Sequence, residues 1–250
     1  MTKPAVLLIH SGGFSSRQWR KLADLLAPDF RVVAPDLFAP RETSWKEDDG
    51  PFHFSLDVDF VESLLDEPTH LVGHSYGGLM ALQLALRRPE LVRSIAVYDP
   101  VAFGVLDEVE DADARAGLSA GLKQTWEPDA SGVDESWLRA YVDWWSGPGA
   151  WEQAGDQTRA GFRAMRIQMF YGVMSLAADR TSRASYATIE APTLIMGGAL
   201  SPMPERRVVQ RLAEALPNAR MHCFEGLGHM GPISHPALVN EPIVQHLRQQ

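Results

Sequence analysis

The 250-residue sequence lacks the features of several protein classes. Its single cysteine, Cys223, excludes an internal disulfide and leaves no cysteine cluster for zinc. Lys and Arg form no cluster and the net charge is −9, which disfavours a nucleic acid or an anionic membrane as partner. No apolar run is long enough to span a bilayer, and the run Ala5–Ile9 is too short for a signal peptide.

What remains is a composition suited to an enzyme with one core, because 45% of the residues are hydrophobic. Neither a metal-ligand cluster nor a phosphate-binding glycine motif is present, so no metal or organic cofactor is expected. We therefore expect a cytoplasmic protein whose partner is a small-molecule substrate. The sequence does not indicate the oligomeric state.

Short apolar, β-branched segments alternate with helical patterns, which is typical of a parallel sheet flanked by helices. The predicted strands are Ala5–Ile9, Arg31–Ala34, His70–Gly73, Ser94–Tyr98, Thr193–Met196 and Arg220–Phe224. The predicted helices lie near Gln18–Leu26, Leu56–Leu65, Gly78–Arg88, Glu205–Leu216 and Ala237–Arg248. The fold class expected is α/β, with a mostly parallel sheet.

This alternation stops over residues 101–190, where helical patterns follow one another and no strand is predicted. We expect an all-helical lid there, inserted into a core formed by residues 1–100 and 191–250. Five of the seven tryptophans fall in this segment: Trp126, Trp137, Trp144, Trp145 and Trp151. Trp144 and Trp145 are candidates for the substrate pocket, with packing onto the sheet as the alternative role. The acidic run over residues 107–113 is predicted to be a solvated helix face or loop.

The most informative motif is Gly73-His74-Ser75-Tyr76-Gly77, a G-x-S-x-G pattern between a predicted strand and a predicted helix. In that context the pattern indicates a nucleophile elbow, a turn that holds a serine in a strained conformation and exposes its hydroxyl. The flanking glycines are required because a Cβ there would collide with the neighbouring strand or helix.

Three motifs together resemble those of the α/β-hydrolase family, and the resemblance runs from about residue 5 to the C-terminus. His10-Ser11-Gly12-Gly13 resembles the oxyanion loop, with Ser11 at a position usually occupied by glycine. Gly73–Gly77 resembles the elbow, and Gly226–Met230 resembles the loop that carries the catalytic histidine. The resemblance implies a mostly parallel α/β-hydrolase sheet flanked by helices with an all-helical lid insertion.

The resemblance also implies roles for individual residues. Ser75 would be the nucleophile and His229 its general base, because a serine hydroxyl needs a base to become nucleophilic. The backbone N–H groups of Gly12 and Tyr76 would form the oxyanion hole, with Gly13 as an alternative donor and a candidate pocket residue. The other seven histidines have no comparable support.

The sequence departs from the common family pattern at the acid that pairs with the catalytic histidine. Ser201 stands where most relatives have an aspartate after the strand that follows the lid, and a serine cannot carry the required charge. Asp99, after the strand that follows the nucleophile helix, is the preferred candidate, because some family members use that position. Glu205 is the rival, although a carboxylate in the first turn of a helix has a simpler role there.

The implied function is a serine hydrolase that cleaves an ester, thioester or lactone of a small hydrophobic substrate through an acyl-enzyme. A serine at the elbow argues against epoxide hydrolases and haloalkane dehalogenases, which would require an aspartate there. Carbon–carbon bond hydrolysis, a lyase step and perhydrolase activity stay open, because the same triad supports them. A non-catalytic ligand receptor on this fold is the alternative from a different class.

Overall fold

The computed structural model describes residues 3–37, 45–122 and 133–250. Six strands form one sheet in the order β2-β1-β3-β4-β5-β6, and every neighbouring pair is parallel. The strands are β1 (Ala5–Ile9), β2 (Arg31–Val33), β3 (Thr69–His74), β4 (Val92–Tyr98), β5 (Thr193–Gly198) and β6 (Ala219–Phe224). The predicted α/β class with a parallel sheet is confirmed.

Burial explains the composition of the strands. All residues of β1, β3 and β5 are buried, as expected for central strands of a parallel sheet that is covered on both faces. The edge strand β6 has exposed residues at Arg220, Met221, His222 and Cys223. Cys223 is therefore exposed at this edge of the sheet.

Helices cover both faces of the sheet. They are α1 (Arg20–Leu26), α2 (Ser55–Glu62), α3 (Tyr76–Arg87), α4 (Ala112–Leu122), α5 (Glu135–Ser146), α6 (Ala150–Gln153), α7 (Asp156–Ala178), α8 (Arg183–Tyr186), α9 (Met203–Ala215), α10 (Gly231–Ser234) and α11 (Pro236–Arg248). Side chains of α1 and α11 pack on one face of the sheet, and those of α2, α3 and α9 pack on the other. None of the described helices has the length and apolarity needed to cross a membrane.

The segment between β4 and β5 contains helices α4 to α8 and, among its described residues, no strand. We call α4 to α8 the helical insertion. Its apolar side chains join the same buried cluster as α2, α3 and α9, so it packs on the sheet domain. Trp126 lies outside the described residues.

Four of the five acidic residues over 107–113 are exposed, as predicted, and the fifth is not. Asp111, within the acidic run expected to be solvated, is fully buried. Its carboxylate accepts hydrogen bonds from Arg207 and Arg211 on α9, both at 2.9 Å. A buried carboxylate is tolerated only when it is paired in this way, so Asp111 links the start of the insertion to the sheet domain.

Candidate active site

The turn after β3 has the geometry of a nucleophile elbow. Ser75 has φ 55° and ψ −116°, a left-handed conformation that costs a non-glycine residue on the order of 1–3 kcal/mol. A Cβ on Gly73 would collide with the backbone of Gly77, and a Cβ on Gly77 would collide with the carbonyl of Ile9. Because only glycine fits at both positions, the chain can reverse from β3 into α3 with Ser75 at the apex.

The side chains of Ser75 and His229 meet at this apex. His229 lies in the loop after β6, and its Nε2 is 2.9 Å from the Oγ of Ser75. Both side chains are buried. When Nδ1 of His229 carries the ring proton, Nε2 is free to accept the proton of the serine hydroxyl.

Asp99 lies beside the other nitrogen of this histidine. It follows β4 with φ 41°, the only described non-glycine residue besides Ser75 with a positive φ, and it is fully buried. Its Oδ2 is 3.3 Å from Nδ1 of His229, within ion-pair distance but without the alignment of a hydrogen bond. The same Oδ2 accepts a hydrogen bond of 2.6 Å from the hydroxyl of Ser201. The structure thus brings together Ser75, His229, Asp99 and the serine at the usual acid position.

Glu205, the rival acid, lies in the first turn of α9 and is also fully buried. No hydrogen bond or ion pair joins it to His229 in the described part of the chain. Neither carboxyl oxygen has a hydrogen-bond partner there, and the indole N–H of Trp144 lies beside it without forming one. Burial, reinforced by the charge of Asp99, raises the pKa of Glu205 well above its usual range. Both influences favour the protonated, uncharged form of Glu205.

Gly12 and Tyr76, the predicted oxyanion pair, are neighbours in space. A Cβ on Gly12 would lie 3.6 Å from the Cβ of Tyr76, although the two residues follow different strands. Tyr76 is the first residue of α3, and N–H groups at a helix N-terminus point toward an approaching negative charge.

A hydrogen-bonded network that sequence reasoning missed connects the three motifs. The amide oxygen of Gln18 accepts from the N–H and the hydroxyl of Ser11, at 3.1 and 2.9 Å. Its amide nitrogen lies 3.1 Å from Nδ1 of His74, whose Nε2 lies 2.8 Å from the carbonyl of His229. One tautomer satisfies both ends: Gln18 donates to Nδ1, and Nε2–H donates to the carbonyl.

This network is electrically neutral. His74 is fully buried, and burial together with the neighbouring His229 lowers its pKa well below the usual value. The phenol of Tyr98 donates a second hydrogen bond, of 2.8 Å, to the histidine loop at the carbonyl of Gly228. One sequence signal points to Gln18. Ser11 is polar at a position usually occupied by glycine, and its hydroxyl needs a hydrogen-bond partner when it is buried.

Two small cavities, of about 40 and 20 Å³, meet at Ser75. The first is lined by Gly12, Phe52, Ser75, Tyr76, Val101, Tyr141, Trp145, Gln168, Met169, Gly172, Val173 and Leu176. The second is lined by Ser11, Gly12, Phe14, Ser75, Tyr141, Val142, Trp145, Ser146, Phe162, His229 and Met230. Most of these side chains are apolar, so the space beside Ser75 suits an apolar group.

The structure separates the three predicted pocket residues. Trp145 lines both cavities, and its ring centroid is 4.6 Å from that of His229. Trp144 lines neither, because its ring packs against Gly121. Gly13 borders instead an open groove of about 490 Å³, and the ring of Phe162 covers the place where a Cβ on Gly13 would lie.

Residues 6–241 match the family model described as "Alpha/beta hydrolase family". Because this match covers most of the chain, the protein belongs to the α/β-hydrolase family and is a hydrolase of that fold.

Among its relatives is a pimeloyl-[acyl-carrier protein] methyl ester esterase of Aeromonas hydrophila, 28% identical over 97% of this chain and 94% of the relative. A 2-hydroxymuconate semialdehyde hydrolase of Pseudomonas sp. is 27% identical over 93% of this chain and 82% of the relative. The solved structure of a meta-cleavage product hydrolase from Pseudomonas fluorescens superposes with a TM-score of 0.71, at 22% identity, over 99% of this chain and 92% of that one. This last likeness supports the fold alone.

Proposed function

We propose that the protein is a serine hydrolase that cleaves an ester of a small hydrophobic acid through an acyl-enzyme. Ser75 is the nucleophile, His229 the general base and Asp99 the acid of the triad. The observation that carries the proposal is the 2.9 Å contact between Ser75 Oγ and His229 Nε2 at a strained elbow. Thioesters and lactones are substrates of the same chemistry.

The reaction proceeds in two halves. As Ser75 Oγ bonds to the carbonyl carbon, its proton passes to Nε2 of His229 and the carbonyl electrons move onto oxygen. That oxyanion accepts hydrogen bonds from the N–H groups of Gly12 and Tyr76. When the tetrahedral intermediate collapses, His229 returns the proton to the leaving alkoxide. Water then repeats the sequence on the acyl-enzyme and releases the acid.

Asp99 stabilises the imidazolium that forms in each half. The hydrogen bond from Ser201 keeps Oδ2 of Asp99 near Nδ1 of His229. Because burial favours the protonated form of Glu205, we assign Asp99 as the acid that supplies a negative charge to His229. The cluster therefore supplies one anion to the histidine without like-charge repulsion.

We assign the helical insertion as a lid over a core formed by residues 1–100 and 191–250, with the lid at 101–190. Trp145 supports this assignment because it lies against His229 and lines both cavities. The larger cavity, of about 40 Å³, has room for only a few heavy atoms with the insertion in this position. We therefore expect short acyl groups to be preferred.

The lining of the two cavities also favours a neutral substrate. Its described residues include no Lys or Arg. A substrate carboxylate buried there would lose its hydration without gaining a paired cation, which is costly. Carbon–carbon bond hydrolysis is the second candidate, favoured by the relative named 2-hydroxymuconate semialdehyde hydrolase. It would require an uncharged substrate or one whose anionic group stays outside these cavities.

A fluorophosphonate probe tests the catalytic proposal. We expect labelling of the wild-type protein and none of Ser75→Ala, together with hydrolysis of p-nitrophenyl acetate in preference to the octanoate. A wild-type protein that is folded but unlabelled would favour the non-catalytic receptor. Labelling without ester turnover, with release of acid from an uncharged β-diketone, would favour the second candidate.

A further inference from the structure

A tyrosine of the helical insertion lies at the predicted oxyanion pair. The hydroxyl oxygen of Tyr141, on α5, is 3.4 Å from the place that a Cβ of Gly12 would occupy. The same place is 3.6 Å from the Cβ of Tyr76. Tyr141 also lines both of the cavities that meet at Ser75. Its hydroxyl therefore lies where the two backbone donors and the nucleophile converge.

This hydroxyl has no hydrogen-bond partner among the described residues. A phenol in an apolar setting normally finds one, so its absence leaves a donor directed at the cavities. Burial raises the pKa of Tyr141 above its ordinary value, which keeps the group protonated as an O–H donor at neutral pH.

The ring that carries the hydroxyl is held from both sides. It stacks on Trp137 at a centroid distance of 5.4 Å and an interplanar angle of 12°. Trp145 packs against it at 6.3 Å. Trp137 is buried, so this stack fixes the phenol before any substrate arrives. A donor that needs no reorganisation is the kind that stabilises a developing charge most effectively.

We infer that Tyr141 is a catalytic residue, a third oxyanion donor supplied by the helical insertion. The inference rests on the proposed function. As the bond from Ser75 Oγ to the carbonyl carbon forms, the oxygen that gains charge accepts from Gly12 N–H, Tyr76 N–H and Tyr141 O–H. The proton remains on Tyr141 throughout. The oxyanion site is complete only while α5 lies over Gly12, so the position of the insertion controls turnover as well as access.

The test is Tyr141→Phe, which removes the hydroxyl and keeps the stacked ring. We expect kcat to fall about 10- to 100-fold with little change in KM, somewhat below the effect of losing a principal oxyanion donor. Tyr171→Phe is the matched control, because Tyr171 is also a half-buried tyrosine of the insertion and lines neither cavity. The control should keep wild-type kcat, and both variants should melt within a few degrees of wild type.

A second measurement separates oxyanion binding from other roles. An aryl trifluoromethyl ketone forms a tetrahedral oxyanion with the serine, so Tyr141→Phe should weaken its affinity by the same factor as kcat/KM. The factor should be equal for p-nitrophenyl and ethyl esters. A loss confined to the ethyl ester would assign Tyr141 to the leaving group and overturn the inference, as would unchanged ketone affinity. Absent fluorophosphonate labelling of wild type would instead reject the proposed function itself.

Discussion

The loops at the carboxyl ends of the strands and the helical insertion differ in what fixes their side chains. In the loops, the backbone decides: Gly73 and Gly77 allow only one turn, and Ser75 and Asp99 both occupy strained positive-φ conformations. In the insertion, the position of a side chain depends on how its helix packs against the neighbouring elements. Adjacent residues of α5 there have unrelated surroundings, since Trp145 contacts His229 and Trp144 contacts Gly121.

A sequence motif locates a site residue reliably only where the backbone fixes the side chain. A motif that depends on backbone geometry places its side chain wherever the turn occurs. Helical spacing gives only a direction around the axis, about 100° between neighbours, and that direction has meaning only once the helix has docked. A loop motif therefore predicts which single residue faces the site. Helical spacing in the insertion predicts only that Trp144 or Trp145 does.

We expect the largest difference in kcat between substitutions of the two buried acids, Asp99 and Glu205. Asp99→Asn should lower kcat on p-nitrophenyl acetate by about 10⁴-fold, because the imidazolium loses its anion. Glu205→Gln should stay within a few-fold of wild type, because an amide resembles the protonated carboxyl that burial favours at this position. The opposite order of the two losses would move the acid of the triad to Glu205 and reject our assignment.

The next effect concerns the network between the loops. Gln18→Met keeps the side-chain length but removes the partner of both Ser11 and His74. We expect a loss of about 10- to 100-fold in kcat, because small displacements of catalytic groups are costly. KM should change little.

Gln83→Met is the control for that network. Gln83 is also half-buried, and its amide nitrogen donates to Thr181 and Tyr186 away from Ser75. Both variants should lose a comparable amount of stability, about 1–3 kcal/mol, through unsatisfied buried groups. Equal losses of kcat in the two would mean that the network of Gln18 is structural only.

We expect a smaller difference in kcat/KM and acyl preference between substitutions of the adjacent residues Trp144 and Trp145. Trp145→Phe should change kcat/KM several-fold and alter the preference among acyl chain lengths, because its ring borders both cavities. Trp144→Phe should lower the melting temperature by a few degrees and leave the acyl preference unchanged, because it opens a gap against Gly121. An altered acyl preference in Trp144→Phe would place both side chains in the substrate site.

The smallest effect is a pH dependence of stability due to Glu205. Its pKa in the folded protein is raised, so the folded state holds a proton that the unfolded state releases above about pH 4.5. The free energy of unfolding that this bound proton contributes is fully present below about pH 4.5, and it decreases as the pH rises toward the pKa of Glu205 in the folded protein. Glu205→Gln should therefore become more stable relative to wild type as the pH rises above about 4.5. A constant difference in melting temperature would mean that Glu205 is already ionised.

The positions of the six strands were accessible from the sequence, because short apolar segments alternate with helical patterns. The proximity of Ser75, Asp99 and His229 was also accessible, because each lies in a loop after a predicted strand. The sequence shows one continuous helical pattern over residues 151–176, so the break between α6 and α7 at Ala154 and Gly155 was not accessible from it. Asp111 and Gln18 were missed for a common reason. The arginines that pair with Asp111 and the histidine that pairs with Gln18 are distant in sequence, so the local pattern did not show that either residue is buried and paired.

Under the proposed triad, the hydrogen bond between Ser201 and Asp99 bears on how a hydrolase of this fold could move its acid from one strand to the next during evolution. A lineage must pass through a state with two carboxylates or with none. An aspartate at position 201 would face Asp99 across the distance now spanned by a hydroxyl, and the pair would share a proton. One anion would still face His229. An ancestral protein with both aspartates would therefore keep an anion beside the histidine. An ancestral protein with neither would lose the anion that the proposed mechanism requires.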